Sequence, residues 1–255
     1  MDSPVVDILM YHSISDRGGA TAIRPAVFAA QMDAIAQAGL PVISLDRLLA
    51  AKRGDETLPP RSIILTFDDG FQDFADVAWP EMQRHGFRPI VYLPVAFIGK
   101  AEGWKGIAQP ARPLIGWDTI RSLASEGVVF GSHTVNHANL DALGSEGLDR
   151  ELDASRSEIE DRLGRPVRHF APPYGLAGHR VRSRIARTYS SSVGTRLGRA
   201  GMTSDPFDLP RLEMFYFSDP ARWRAHLSGD GGIYLARRKA MRAVKNALVK
   251  PWRGL

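Results

Sequence analysis

Apolar residues Phe28, Met32, Ile35 and Ala36 recur at helical spacing across residues 24–39, which predicts an amphipathic helix closed by Gly39 as its C-cap. Short apolar runs at 5–10, 62–66, 89–93, 128–130, 168–171, 191–194 and 209–214 read instead as strands, with a further short candidate at Val42-Ile43-Ser44. Helical patterns fall between most of them, at 45–51, 74–85, 117–126, 145–163 and 177–188. Such alternation implies parallel strands joined by right-handed crossovers. An open doubly wound sheet and a barrel both satisfy it.

At 255 residues the chain suffices for one barrel-sized domain, and no repeat or Ser/Gly linker marks a second. With no cysteine, the fold uses neither disulfides nor thiolate ligands. The start Met1-Asp2-Ser3-Pro4 has no basic n-region or long apolar run, and no later stretch is long and apolar enough to span a bilayer, so the expected location is the cytoplasm.

Charge is unevenly spread. The chain carries +5, yet after Asp230 there is no acid, and seven cations from Arg237 to Arg253 leave a net −2 on residues 1–230. This divides the chain into a main domain, 1–230, and a basic amphipathic tail, 231–255. Nucleic acid is not an expected partner, because the basic part has few aromatics on which bases could stack. Met241, Val244, Leu248 and Trp252 recur at spacings of three and four opposite the basic residues. Two readings fit: peripheral contact with an anionic inner membrane leaflet, or docking on the rest of the fold with a solvated basic face.

Candidate chemistry begins at Thr66-Phe67-Asp68-Asp69-Gly70, directly after a strand. Two adjacent carboxylates repel unless a cation or a proton relieves them, so the pair predicts a metal site with a base beside it. His133 and His137, in Gly131-Ser132-His133-Thr134-Val135-Asn136-His137, are spaced so that both imidazoles point one way on a helical turn. Two histidines and one carboxylate leave a fourth position open for water, the catalytic form of zinc coordination. A third segment, Phe170-Ala171-Pro172-Pro173-Tyr174-Gly175, is a stiff turn suited to aiming an N–H at an oxyanion. Each motif alone is common; their shared place after different strands is what joins them, and it favours a ring over a flat sheet.

With these motifs, from about Ile8 to about Met214, the chain resembles the metal-dependent polysaccharide deacetylases with a NodB-type domain, also called carbohydrate esterase family 4. The resemblance implies an incomplete (β/α) barrel and removal of N-acetyl groups from a hexosamine-containing glycan or glycolipid. It makes Asp68 the general base, Asp69, His133 and His137 the metal ligands, and the Tyr174 backbone an oxyanion donor. The cofactor is expected to be Zn2+, with Co2+ or Ni2+ able to support the same geometry.

Two departures stand out. Many family members begin the third motif with an Arg that orients the catalytic Asp, and Ala171 stands there; the late Leu-x-x-His motif is absent, since His226 in Trp223-Arg224-Ala225-His226 lacks the leucine. Both are similar to the circularly permuted poly-N-acetylglucosamine deacetylase branch, where the acid histidine follows a Tyr near the N-terminus. Tyr11-His12 closes the first predicted strand, so His12 is favoured over His226 as the acid. Arg211 is read either as meeting a substrate anion or, preferably, as an ion pair closing the barrel rim. Residues 99–113 form the longest irregular insertion, in which Trp104 either stacks on a pyranose ring or pins its own loop. Hydrolysis of small amides, and a non-catalytic carbohydrate-binding relative, are the alternative functions.

Overall fold

The structure is a computed structural model that describes residues 3–104 and 110–249, with side-chain surroundings given as far as Val244. Among the described residues there are ten strands: β1 (Val5–Tyr11), β2 (Ser13–Ile14), β3 (Ala22–Ile23), β4 (Arg61–Phe67), β5 (Ile90–Leu93), β6 (Val129–Ser132), β7 (His169–Phe170), β8 (Ser191–Leu197), β9 (Ala200–Gly201) and β10 (Leu209–Glu213). The α-helices are α1 (Pro25–Gln37), α2 (Leu45–Arg53), α3 (Trp79–Arg84), α4 (Trp117–Ser125), α5 (Ser145–Leu163), α6 (His179–Thr188), α7 (Pro220–Ser228) and α8 (Gly232–Val249).

Seven of the strands run parallel in the order β1, β4, β5, β6, β7, β8, β10. The ring closes where Leu9 and Met10 of β1 pair with Leu212 and Glu213 of β10. This is the expected incomplete barrel, one strand short of the eight-stranded form yet closed. Short β9 runs antiparallel to the first residues of β1.

Side-chain alternation divides the wall into two faces. Val6 and Ile8 of β1, Ile64 of β4, Ile90 and Tyr92 of β5, Val193 of β8 and Leu209 of β10 fill the barrel interior. Leu9, Tyr11, Ile63, Leu65, Phe67, Val91, Leu93 and Leu212 point outward and pack with Phe28, Met32 and Ile35 of α1 and the other helices. Strands buried on both faces read as unbroken apolar runs, which is why β1 and β4 were legible.

Local chemistry sets several element boundaries. Val42-Ile43-Ser44 makes only a single parallel bridge, Val42 to Ile63, because Ser44 leaves the extended run to cap α2, its hydroxyl accepting from the Arg47 N–H at 3.1 Å. The helix expected over 74–85 starts as a π-turn, Phe74–Ala78, and becomes α-helical only at Trp79. Pro80 supplies no N–H and crowds the preceding turn, so the wider turn accommodates it.

The first turns of α8 pack against the residues that precede α7. Leu235 is buried, the Tyr234 hydroxyl donates to the Tyr216 carbonyl at 2.7 Å, and Arg238 lies over the Tyr216 ring. Met241 and Val244 are exposed; the Leu248 side chain and Trp252 lie outside the described residues.

Candidate active site

Four loops meet over the C-terminal end of the barrel. His12 follows β1 with the inward parity of Val6, Ile8 and Met10, and Asp68 follows β4 with that of Ile64 and Thr66. The third loop, residues 133–137, leaves β6, and the fourth, Pro172 to Gly175, leaves β7. Among the described residues four non-glycine residues have positive φ, and all lie here: Asp69 (72°), Thr134 (70°), His137 (52°) and Tyr174 (61°). Each such conformation costs roughly 1–3 kcal/mol and persists only where the surroundings over-determine it. Gly70 and Gly175 also have positive φ, and a Cβ at either would collide with Leu93 or Thr195 respectively.

Asp69, His133 and His137 converge, all three buried, with Nε2 of the two imidazoles 3.4 and 3.2 Å from Asp69 Oδ1. Ligand atoms at the corners of a tetrahedral zinc site with arms of about 2.0–2.1 Å stand about 3.3 Å apart, so these edges fit such an ion. Asp69 Oδ1 is buried with no hydrogen-bond partner, an orphan acceptor that a cation would satisfy. His133 Nδ1 donates to the Ala171 carbonyl at 2.6 Å, which leaves Nε2 as the lone-pair nitrogen facing Asp69. The His137 ring is held between Trp104, stacked at 4.2 Å, and Tyr174, edge-on at 4.8 Å. Trp104 also meets Phe97 edge-on, so it follows neither single reading from the sequence: it braces its loop and a candidate metal ligand together.

Asp68 is held differently. Arg211, fully buried, forks onto it with Nη1 to Oδ1 and Nη2 to Oδ2, both at 2.7 Å, while Nε donates to the Gly194 carbonyl at 2.8 Å and Nη1 to Thr66 Oγ1 at 3.1 Å. Arg211 thus makes the expected ion pair, but inside the barrel with Asp68 and not at the rim. It shares the inward parity of Leu209 and crosses the barrel interior from β10, doing at Asp68 what the absent Arg at position 171 does in the resembled family. Ala171 contributes its carbonyl to His133 instead. Burial pushes the Asp68 carboxyl up, and the Arg211 guanidinium outweighs burial to hold it below the usual carboxylate range. For Asp69 burial likewise pushes up, and the adjacent His133 and His137 rings bring it well below.

His12 Nε2 lies 3.8 Å from Asp68 Oδ2 at the cavity wall. Ser13 and Ile14 behind it are pinned by Asp73, which accepts from the Ser13 hydroxyl at 2.5 Å and the Ile14 N–H at 3.0 Å. His226 is elsewhere. It is buried against Asp7 at 3.1 Å, outside the barrel wall, near the opposite end of β1 and roughly 15 Å of strand from His12. His12, not His226, faces the candidate base.

A cavity of about 450 Å³ covers these groups, bordered by His12, Asp68, Asp69, His133, His137 and Tyr174. A family model described as polysaccharide deacetylase matches residues 55–192, more than half of the chain. The chain belongs to the polysaccharide deacetylase family. The Bacillus subtilis (strain 168) protein YxkH is 23% identical over 208 residues, 81% of this chain and 70% of that one. A 90-residue match at 28% identity to the poly-beta-1,6-N-acetyl-D-glucosamine N-deacetylase of Escherichia coli (strain K12) spans 34% of this chain and 13% of that protein. Among solved structures, the Streptococcus pyogenes deacetylase PplD in complex with acetate superimposes with a TM-score of 0.72 at 22% identity, over 83% of this chain and 92% of that one. At that identity the likeness shows the fold.

One more residue of this deacetylase-family site escaped the sequence reading. Glu151 on α5 is buried and accepts from the N–H groups of Val135 (2.8 Å) and Asn136 (2.9 Å) and from Asn136 Nδ2 (2.6 Å), clamping the loop between the two histidines. Its signal was present: a carboxylate on the helix stripe of Leu148, Leu152, Ser155 and Ile159, a position otherwise given to the core.

Proposed function

We propose that this chain is a metal-dependent N-deacetylase of hexosamine-containing glycans or glycolipids. The observation that carries it is the meeting, in one cavity, of a three-ligand cluster, an ionised aspartate clamped by a buried arginine, and a histidine beside that aspartate. Its similarity to a poly-N-acetylglucosamine deacetylase supports an acetamido sugar as the substrate.

Asp69, His133 and His137 would hold the divalent ion, with zinc favoured by the mixed nitrogen and oxygen donors and Co2+ or Ni2+ able to replace it. When bound, the ion supplies Lewis acidity and lowers the pKa of water. Asp68, kept ionised by Arg211, takes the proton from the water that attacks the acetamide carbonyl. The forked guanidinium occupies one lone pair on each carboxylate oxygen and fixes the plane from which the remaining lone pairs reach the water. The Tyr174 N–H donates to the developing oxyanion, in a backbone conformation stiffened by Pro172 and Pro173. His12, protonated, delivers its proton to the departing amine nitrogen; without it the tetrahedral species expels the weaker base, water, and returns to substrate.

A non-catalytic sugar-binding role is disfavoured by the completeness of the set: a protein that only bound glycan would have no use for a base clamped by a buried arginine. Cleavage of small amides would use the same groups, so substrate comparison decides between them. Acetate release from N-acetylglucosamine oligomers, abolished by chelation and restored by Zn2+, is the expected result, with small amides turned over far more slowly. His12→Ala is expected to retain metal and lower turnover by about 10²–10⁴-fold, the usual worth of a general acid. Wild-type turnover in that variant, or preference for small amides, contradicts the proposal.

A further inference from the structure

The cavity over Asp68 and Asp69 continues past Tyr174 into a second groove. Gly175, Thr195 and Arg242 border both, and Arg196 and Lys239 complete the basic wall of the second. The carboxylate in that groove, Asp208, is already engaged: Arg196 Nη2 donates to its carbonyl at 2.9 Å, and Arg182 and Arg196 each stand 3.4 Å from its Oδ2. Lys239 and Arg242, three residues apart on α8, make no hydrogen bond or ion pair with any described residue. Glu213, which borders the first cavity, lies within electrostatic reach of His12, Arg211 and Arg242 together. Two unpaired cations therefore face a passage that starts at the reacting centre, on a helix with no acid after Asp230.

We propose that this groove binds a phosphate group carried by the substrate, so that the chain acts on phosphorylated acetamido sugars; this rests on the deacetylase reading above. The ammonium and planar guanidinium on α8 and the Thr195 hydroxyl on β8 are separate donors. A phosphate, with about two negative charges and three free oxygens, can accept from all of them at once, whereas a carboxylate offers two coplanar oxygens. Gly175 links this groove to the Tyr174 backbone, so one molecule can reach both. The phosphate can be a monoester at the anomeric position or at a ring hydroxyl, and both present the same chemistry to Lys239 and Arg242.

The test is calorimetric titration of the Zn2+-loaded Asp68→Asn protein with methyl N-acetylglucosaminide, N-acetylglucosamine 1-phosphate and N-acetylglucosamine 6-phosphate. One phosphate is expected to bind on the order of tenfold more tightly than the neutral glycoside, with the advantage shrinking at high salt. Tighter 1-phosphate marks an anomeric linkage, and tighter 6-phosphate a ring substituent. Adding Lys239→Gln and Arg242→Gln together is expected to abolish the advantage, while Arg237→Gln, which lies off the groove, leaves it. Equal affinities for all three sugars, or an advantage that survives the double substitution, overturns the phosphate site. Failure of the deacetylase reading is a different observation: no acetate released by the wild-type protein from any acetamido sugar.

Discussion

Arg211 and Asp68 form the most consequential pair in the molecule, because each is buried and each neutralises the other. Arg211→Lys keeps the charge but loses the fork, so Asp68 is held in plane less firmly and burial regains influence over it. The carboxyl lies below the ordinary range chiefly because Arg211 outweighs burial, so weakening that contact moves it up, and the base proposed at Asp68 is lost at a higher pH. The expected outcome is a kcat reduced about 10–100-fold, unchanged metal content and an acid limb of the kcat/KM profile displaced to higher pH. An unmoved acid limb in the pH profile contradicts the pairing. The sequence disclosed Asp68, Asp69, His12, His133 and His137 because motif spacing and strand parity sit within short windows. Arg211 lies 143 residues from its partner, and only the barrel's closure brings β10 to β1 and so to the Asp68 loop.

Elements carry the site by fixing the loops that leave them. The imidazoles at 133 and 137 do not ride on a helix, as their spacing suggested; they sit on an irregular loop with positive φ at Thr134 and His137. What replaces helical hydrogen bonding is Glu151 of α5, which takes the amides of Val135 and Asn136. Glu151→Gln trades one acceptor oxygen for a donor that faces N–H groups. Metal affinity, read by competition with a chelator dye, is expected to fall about 10–100-fold while the fold persists; an unchanged affinity means the loop holds itself. Most strands and helices were legible from periodicity because the strands are buried on both faces and the helices on one. Two exceptions have local causes, the Ser44 cap that ends the extended run after Val42 and the Pro80 that widens the turn before α3. α7 escaped notice because its buried stripe of Trp223, His226 and Leu227 is interrupted by arginines.

At the scale of the whole molecule the barrel has two chemically distinct poles. Opposite the active site, Asp7 is buried among Arg199 (2.8 Å), Arg61 (3.2 Å) and His226 (3.1 Å), tying β1 to the segment after β8 and to α7. Burial pushes the Asp7 carboxyl up, but hydrogen bonding and charge from His226 and Arg199 prevail and leave it lowered. A lowered folded-state value means that the charged form stabilises the fold above the ordinary carboxylate range, near pH 4, and that this contribution is lost as pH falls through the folded value. Asp7→Asn is expected to cost about 3 kcal/mol at neutral pH, since it removes the buried counter-charge of the partly buried Arg61 and Arg199, and to flatten the acid limb of stability against pH in denaturant titrations. A wild-type acid limb in that variant removes Asp7 as its source. Because this pole is remote from the cavity, the change should leave kcat untouched under conditions where the protein is folded.

The central claim is that Asp69, His133 and His137 hold one divalent ion on which acetate release depends. Metal content per chain, measured together with acetate release during Zn2+ titration of chelated protein, tests it most directly. One equivalent bound and activity rising in step with it is the predicted result, with neither seen for His137→Ala; acetate release by the metal-free protein, or full metal binding by His137→Ala, would contradict it.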